Sequence, residues 1–167
     1  MRKESKNWEN VNRSERGQSL VELAISFIVI MILLSGAVDL GRAFFTYVAI
    51  RDAAQEGATY ASTNPTDTAS IHTRAQQSSD SPIDFANDPN VTFLPPVPSP
   101  PSGPKCSGFY EVGGVNKAYA VTVEIWYEFP ISMALIQPIV QAITGENYII
   151  LKASSTYTII SPACPLP

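Results

Sequence analysis

One acid stands where its surroundings oppose it. Glu22 lies near the start of an apolar run, residues 19–38, in which it is the sole charged residue. An ionised carboxylate in hydrocarbon costs about 3 kcal/mol or more unless it is paired or snorkels to the surface. Gly17 and Gln18 sit just ahead of it. If the chain is cut after Gly17, Gln18 becomes the N-terminus and Glu22 its fifth residue. One helical turn separates them, so the free amine and the carboxylate can neutralise each other. The acid could equally neutralise the terminus of a neighbouring helix in an assembly. The plainer alternative leaves Glu22 among the headgroups and starts the span at Leu23. That leaves residues 23–38, about 24 Å of helix, short for an ordinary span.

The other reactive side chains are few. Cys106 and Cys164 are the two thiols. On the outer side of a membrane such a pair is most simply one disulfide, contributing about 2–4 kcal/mol to a small domain. They lack the C-x-x-C spacing of a redox pair. With His72 as the single histidine, no metal site is expected, and His72 reads as a solvated helix residue. No Walker loop, H-E-x-x-H, nucleophile elbow or G-x-G-x-x-G is present in the sequence. No catalytic residue, cofactor or small-molecule substrate is therefore expected, and the chain does not read as an enzyme.

Charge sets the orientation of the elements that carry these residues. The net charge is −4. Residues 1–22 hold five Lys/Arg against four acids, whereas from Asp39 onward six bases face eleven acids. Basic residues flanking a span favour the cytoplasm. The N-terminus is thus expected inside and the C-terminal part outside. An acidic exterior argues against nucleic acid, whose phosphates need a basic patch. Residues 19–38 would rise about 30 Å as a helix, one hydrocarbon thickness. The helix is expected to continue through residues 39–62 as a stalk. Its stripe of Ala43, Tyr47, Ile50, Ala54, Ala58 and Ala61 recurs at spacings of three and four. With Gly57 beside it, this small face packs helices of neighbouring subunits, packs on the protein's own sheet, or does each along different parts of the stripe. Phe44, Phe45 and Tyr47 suit the interfacial belt.

The run Gly17-Gln18-Ser19-Leu20-Val21-Glu22 resembles the prepilin-peptidase recognition site of type IV pilins, with Gly before the cut and Glu at the fifth mature position. The longer pattern is similar to the TadE-like pseudopilins of tight-adherence (Flp-type) pilus systems. It comprises RGQSLVELA, the apolar stretch, residues 39–45 (DLGRAFF) and residues 53–61 (AAQEGATYA). Many members of that family carry a proline within the apolar run, and this chain has none. The resemblance implies a minor pilin-like subunit of the cytoplasmic membrane, cut after Gly17 by a prepilin peptidase. The partners it implies are the major Flp pilin, a second pseudopilin, an inner-membrane platform and a secretion ATPase. Two alternatives stand beside it. One is an uncut single-pass membrane protein whose small exterior domain binds a surface ligand, through an aromatic such as Trp126. The other is a domain released by ordinary signal cleavage after Ala37, where Ser35-Gly36-Ala37 offers small residues.

The expected organisation is a leader over 1–17, a transmembrane and stalk helix over 18–62, and an extracytoplasmic α+β domain over 63–167. The leader, without an apolar face, is expected to be unstructured. Thr63-Asn64-Pro65 ends the long helix, and Asp67 caps a short one reaching about Ser78. Asn90 to Leu94 reads as a short strand, and residues 94–105 as a stiff Pro-rich loop. Residues 119–129 alternate cleanly, with Tyr119, Val121, Val123, Ile125, Tyr127 and Phe129 on one face. Residues 148–160 give a second long strand. These would form a small antiparallel sheet covered on one face by the stalk helix. Between the strands, residues 131–143 are strongly apolar but too short to span. They are expected to tuck under the sheet or to lie against a membrane or partner.

Overall fold

The computed structural model describes residues 8–78, 81–133 and 137–164, without the side chains of residues 8–16 and of Ile139. Residues 1–7 of the leader and residues 134–136 of the apolar connection lie outside the described residues. The architecture is α+β, a long apolar N-terminal helix followed by a small antiparallel sheet domain. Two compact units divide the chain, Met1–Leu40 and Gly41–Pro167.

Helix α1 runs Trp8–Thr63. The leader, expected to be unstructured, is helical from Trp8 onward. Extending an existing helix gains one hydrogen bond per residue and avoids the cost of nucleation. The part of α1 in the first unit exposes its large apolar side chains from Leu20 to Val38. It belongs to the one helix among the described residues that is long and apolar enough to cross a membrane.

In the second unit, α1 buries Thr46, Ala49, Ile50, Ala53, Ala54, Ala58, Ala61 and Ser62. These recur at helical spacing and make one face. Tyr47, expected on that face, is 42% exposed. Pro65 follows and is itself fully buried. Helix α2, Thr68–Gln76, is capped by Asp67, whose carboxylate accepts from the Ser70 amide at 3.1 Å. The Ser70 bonds hold the Asp67 carboxyl below its ordinary value. Helix α2 turns Ile71 and Ala75 inward.

The sheet is built around β5, Ala120–Pro130, which pairs along its whole length with β6, Tyr148–Thr158. Its other edge takes two short strands in succession. These are β1, Val91–Phe93, opposite residues 125–127, and β2, Val97–Ser99, opposite residues 120–122. Strand β2 lies within the Pro-rich segment expected to be only a loop. A polyproline backbone is already extended, and an edge position tolerates Pro98 because no ladder donor is needed there. A separate hairpin, β3 (Phe109–Val112) and β4 (Val115–Ala118), turns at Gly113 and Gly114. Both glycines have positive φ, 59° and 80°, as a two-residue hairpin turn of this hand requires.

Alternation along β5 is strict. Val121, Val123, Ile125, Tyr127 and Phe129 are buried, and the residues between them are half-buried. Two adjoining clusters fill the core. Ala49, Ile50, Ala53 and Ala54 meet Ile125, Tyr127 and Phe129, while Ala58, Ala61 and Ile71 meet Val121, Val123 and Ile159. The β5 end near Phe129 therefore lies beside the early part of this α1 segment, and the Val121 end beside its late part. Cys106 and Cys164 are joined by a disulfide, with Cα atoms 5.0 Å apart.

Candidate functional site: residues 17–22, the start of the second unit and the exposed faces of the sheet domain

Gly17, Gln18 and Glu22 all lie in α1 and are exposed. The four-residue step places Gln18 and Glu22 on one helix face, a turn apart. A Cβ added at Gly17 would meet nothing within 4 Å. The local fold therefore places no demand for glycine there.

The small residues have a different setting. Ala54, Ala58 and Ala61 have no exposed surface. Gly57 is equally enclosed: a Cβ at that position would lie 3.3 Å from Ala75 Cβ and 3.3 Å from Val123 Cγ1. Of the two readings of this stripe, the structure fits packing on the protein's own sheet and α2. A face already covered in this way is not available to a neighbouring subunit.

At the N-terminal end of the second unit, Arg42 holds two residues from far along the chain. Its guanidinium lies 5.6 Å from the centre of the Phe129 ring and donates to Ser132 Oγ. The sequence offers no local signal for these contacts. A cleft of about 330 Å³ opens beside them, lined by Arg42, Phe45, Thr46, Pro82, Tyr127 and Phe129. Burial, with the nearby Asp88 carboxylate, raises the Tyr127 phenol above its ordinary value. Its hydroxyl donates to Asp88 Oδ2 at 3.3 Å.

The described residues within 131–143 differ in burial. Met133 is buried, whereas helix α3, Gln137–Thr144, leaves Ile143 79% exposed. The sheet face turned away from α1 carries Trp126. Its indole donates to Glu124 Oε1, and Lys152 Nζ lies 3.9 Å over its ring. The ring is thus occupied by its own neighbours and offers little to a stacking ligand. His72, expected to be solvated, is half-buried with its ring 5.6 Å from Phe93. Among the described residues, no group of three His, Cys, Asp or Glu side chains is placed to hold a metal ion.

The comparisons with known proteins bear on the helix. Residues 17–59 match the model of a family described as TadE-like protein. The match begins at Gly17 and ends four residues before α1 does. No curated protein and no solved structure matches the chain. The family match suggests a membrane protein associated with a tight-adherence (Tad) pilus, and the exposed apolar helix fits a membrane anchor.

Proposed function

We propose that this protein is a pseudopilin that supports assembly of a tight-adherence (Flp-type) pilus or a related secretion filament. In this account a prepilin peptidase cuts after Gly17. The mature chain starts at Gln18 and stays anchored by residues 19–38, with the N-terminus cytoplasmic and the sheet domain outside. The observation that carries the reading is the position of the family match, which starts at Gly17 and covers Glu22, the exposed apolar helix and its extension. The chain works without chemistry of its own. Proteolysis belongs to the peptidase and energy to the secretion ATPase. Glu22 supplies the register: its carboxylate neutralises the new amine of Gln18, or that of an adjacent helix, where lipid makes either charge costly alone. The partners are the major Flp pilin, a second pseudopilin and the inner-membrane platform.

Complementation tests this role. In a strain lacking the protein, the wild-type chain is expected to restore surface filaments. Glu22→Ala should remain in the membrane and lose most filament formation, with Glu22→Asp partly active. Full assembly by Glu22→Ala would refute the register role. Normal filaments in the strain without the protein would refute the assembly role altogether.

A further inference from the structure

We propose that the outer edge of β6 is a docking site for an extended strand of another protein, which joins the sheet beside β6 through backbone hydrogen bonds. The two edges of the sheet are built differently. One edge is blunt: β1 and β2 are three residues each, Pro95 and Pro96 part them, and Pro98 sits within β2. The other edge is β6, eleven residues long, paired one-to-one with β5 and free of proline and bulge. Among the described residues, no strand pairs with its far side. An open edge of this length is a template for a further strand, and proteins commonly blunt it with charge, proline or a bulge. Here the one charged side chain of β6, Lys152, is drawn back over Trp126 of its own sheet.

Register identifies the open backbone groups. In a strand the N–H and C=O of one residue point to the same edge, and successive residues alternate. The Glu128 amide donates to the Asn90 carbonyl, and the Glu124 carbonyl accepts from the Leu94 amide. Even-numbered residues of β5 therefore serve the β1 edge, and odd-numbered ones serve β6. In β6 the odd-numbered residues Ile149, Leu151, Ala153, Ser155 and Tyr157 answer them. Ile150, Lys152, Ser154 and Thr156 thus turn N–H and C=O outward, and all four are exposed. The open row stops at Ile160, whose amide donates to the Ser62 carbonyl. Side chains define the strand that fits. On the helix side of the sheet, Ile149 and Tyr157 are 46% and 41% exposed, with buried Ala153 between them. The added strand meets these two with apolar residues and carries small ones between. At the Tyr148 end, the carboxylates of Glu128 and Glu146 lie near enough to raise the Tyr148 phenol. Charge complementarity therefore calls for a Lys or Arg on the strand at that end. A second copy of β6 does not supply it. Laid antiparallel and centred on Ala153, a copy brings Tyr157 and Thr158 to this end, and neither is basic.

The inference is independent of the cut after Gly17 and of the pilus. The test uses the full chain in detergent micelles and a labelled synthetic peptide, acetyl-VTATATVTIK-amide, built to this pattern for antiparallel pairing. A second peptide ends in glutamate in place of lysine. Binding is read by fluorescence anisotropy and by amide hydrogen exchange resolved to single residues. The first peptide is expected to bind and to slow exchange at Ile150, Lys152, Ser154 and Thr156. The odd-numbered amides of β6, already bonded to β5, should not change. The glutamate peptide should bind roughly threefold more weakly or worse at low salt. Ser154→Pro removes one outward N–H that β5 does not use, and should weaken binding about tenfold. Ile149→Lys leaves every backbone group in place and should weaken binding to a similar degree, so the result does not hang on how the proline variant folds. Absence of binding, binding without protection of the four outward amides, or equal binding by both variants and wild type overturns the docking. Concentration-dependent protection of those amides without peptide would give the edge to a second copy of the chain and overturn the proposed occupant.

Discussion

The two halves of α1 use opposite residues for opposite surroundings. In the front half, Leu20, Ile25, Phe27, Ile30 and Leu33 are all more than half exposed. In the back half, Ala53, Ala54, Ala58 and Ala61 have no exposed surface. Within a domain, large apolar residues usually sit inside and small ones are less particular. Here the large ones find no protein, which fits a membrane anchor whose solvent is lipid. The small ones are buried because a helix lying flat on a sheet needs room for both backbones. Side-chain size along α1 thus separates a stretch suited to lipid from a stretch packed on protein. A stripe of alanines and glycine does not by itself signal an interface between subunits.

Substitutions can break this contrast, beginning with the most damaging. Ile30→Arg puts a charge near the middle of the span and should oppose insertion by about 3 kcal/mol. The expected result is loss of the protein from the membrane fraction, measured by alkaline extraction. Exchanging sizes comes next. Ala58→Leu forces extra volume between α1 and β5 and should lower domain stability by about 1–3 kcal/mol. Leu33→Ala should change it by less than about 0.5 kcal/mol, since that side chain touches no core. Unfolding of both variants in detergent micelles, followed by circular dichroism, checks the difference. Equal losses would mean that the two halves share one environment.

Two smaller effects concern the exterior domain alone. The Asp67 carboxyl is held below the ordinary aspartate value of 3.8 by its bonds to Ser70. Its contribution is fully present above that pH and is lost as pH falls through the depressed folded value. Asp67→Asn keeps a capping oxygen and should differ from wild type above pH 4 but converge with it in stronger acid. The Tyr127 phenol is raised above 10.0. Its contribution is present below pH 10 and is lost as pH rises through the higher folded value. Tyr127→Phe should therefore flatten the alkaline arm of the stability profile. An unchanged alkaline arm would place the titration elsewhere.

Much of the domain was legible because its signals are periodic. Alternation along residues 119–129 marks the buried face of β5, and Asp67 ahead of an apolar spacing marks the start of α2. The N-terminal pattern from Gly17 to Ala61 carries the family resemblance, and the family match covers nearly the same residues. What stayed hidden depends on contacts far apart in sequence. Nothing near Arg42 points to Phe129 or Ser132. Strand β2 was masked by Pro98, since proline signals a loop unless the strand is known to lie at an edge. Gly113-Gly114 announced a turn, but four-residue strands on either side carry too short a pattern to read. The exposure of Ile143 follows from how the sheet's end is closed, which composition cannot tell.

The most direct test of the account is the intact mass and N-terminal peptide of the protein taken from native membranes. A chain beginning at Gln18, still membrane-bound, is the predicted result. A chain beginning at Met1 would leave an ordinary anchor with no amine for Glu22 to meet. A chain beginning at Val38 would remove the span and contradict the pseudopilin account outright.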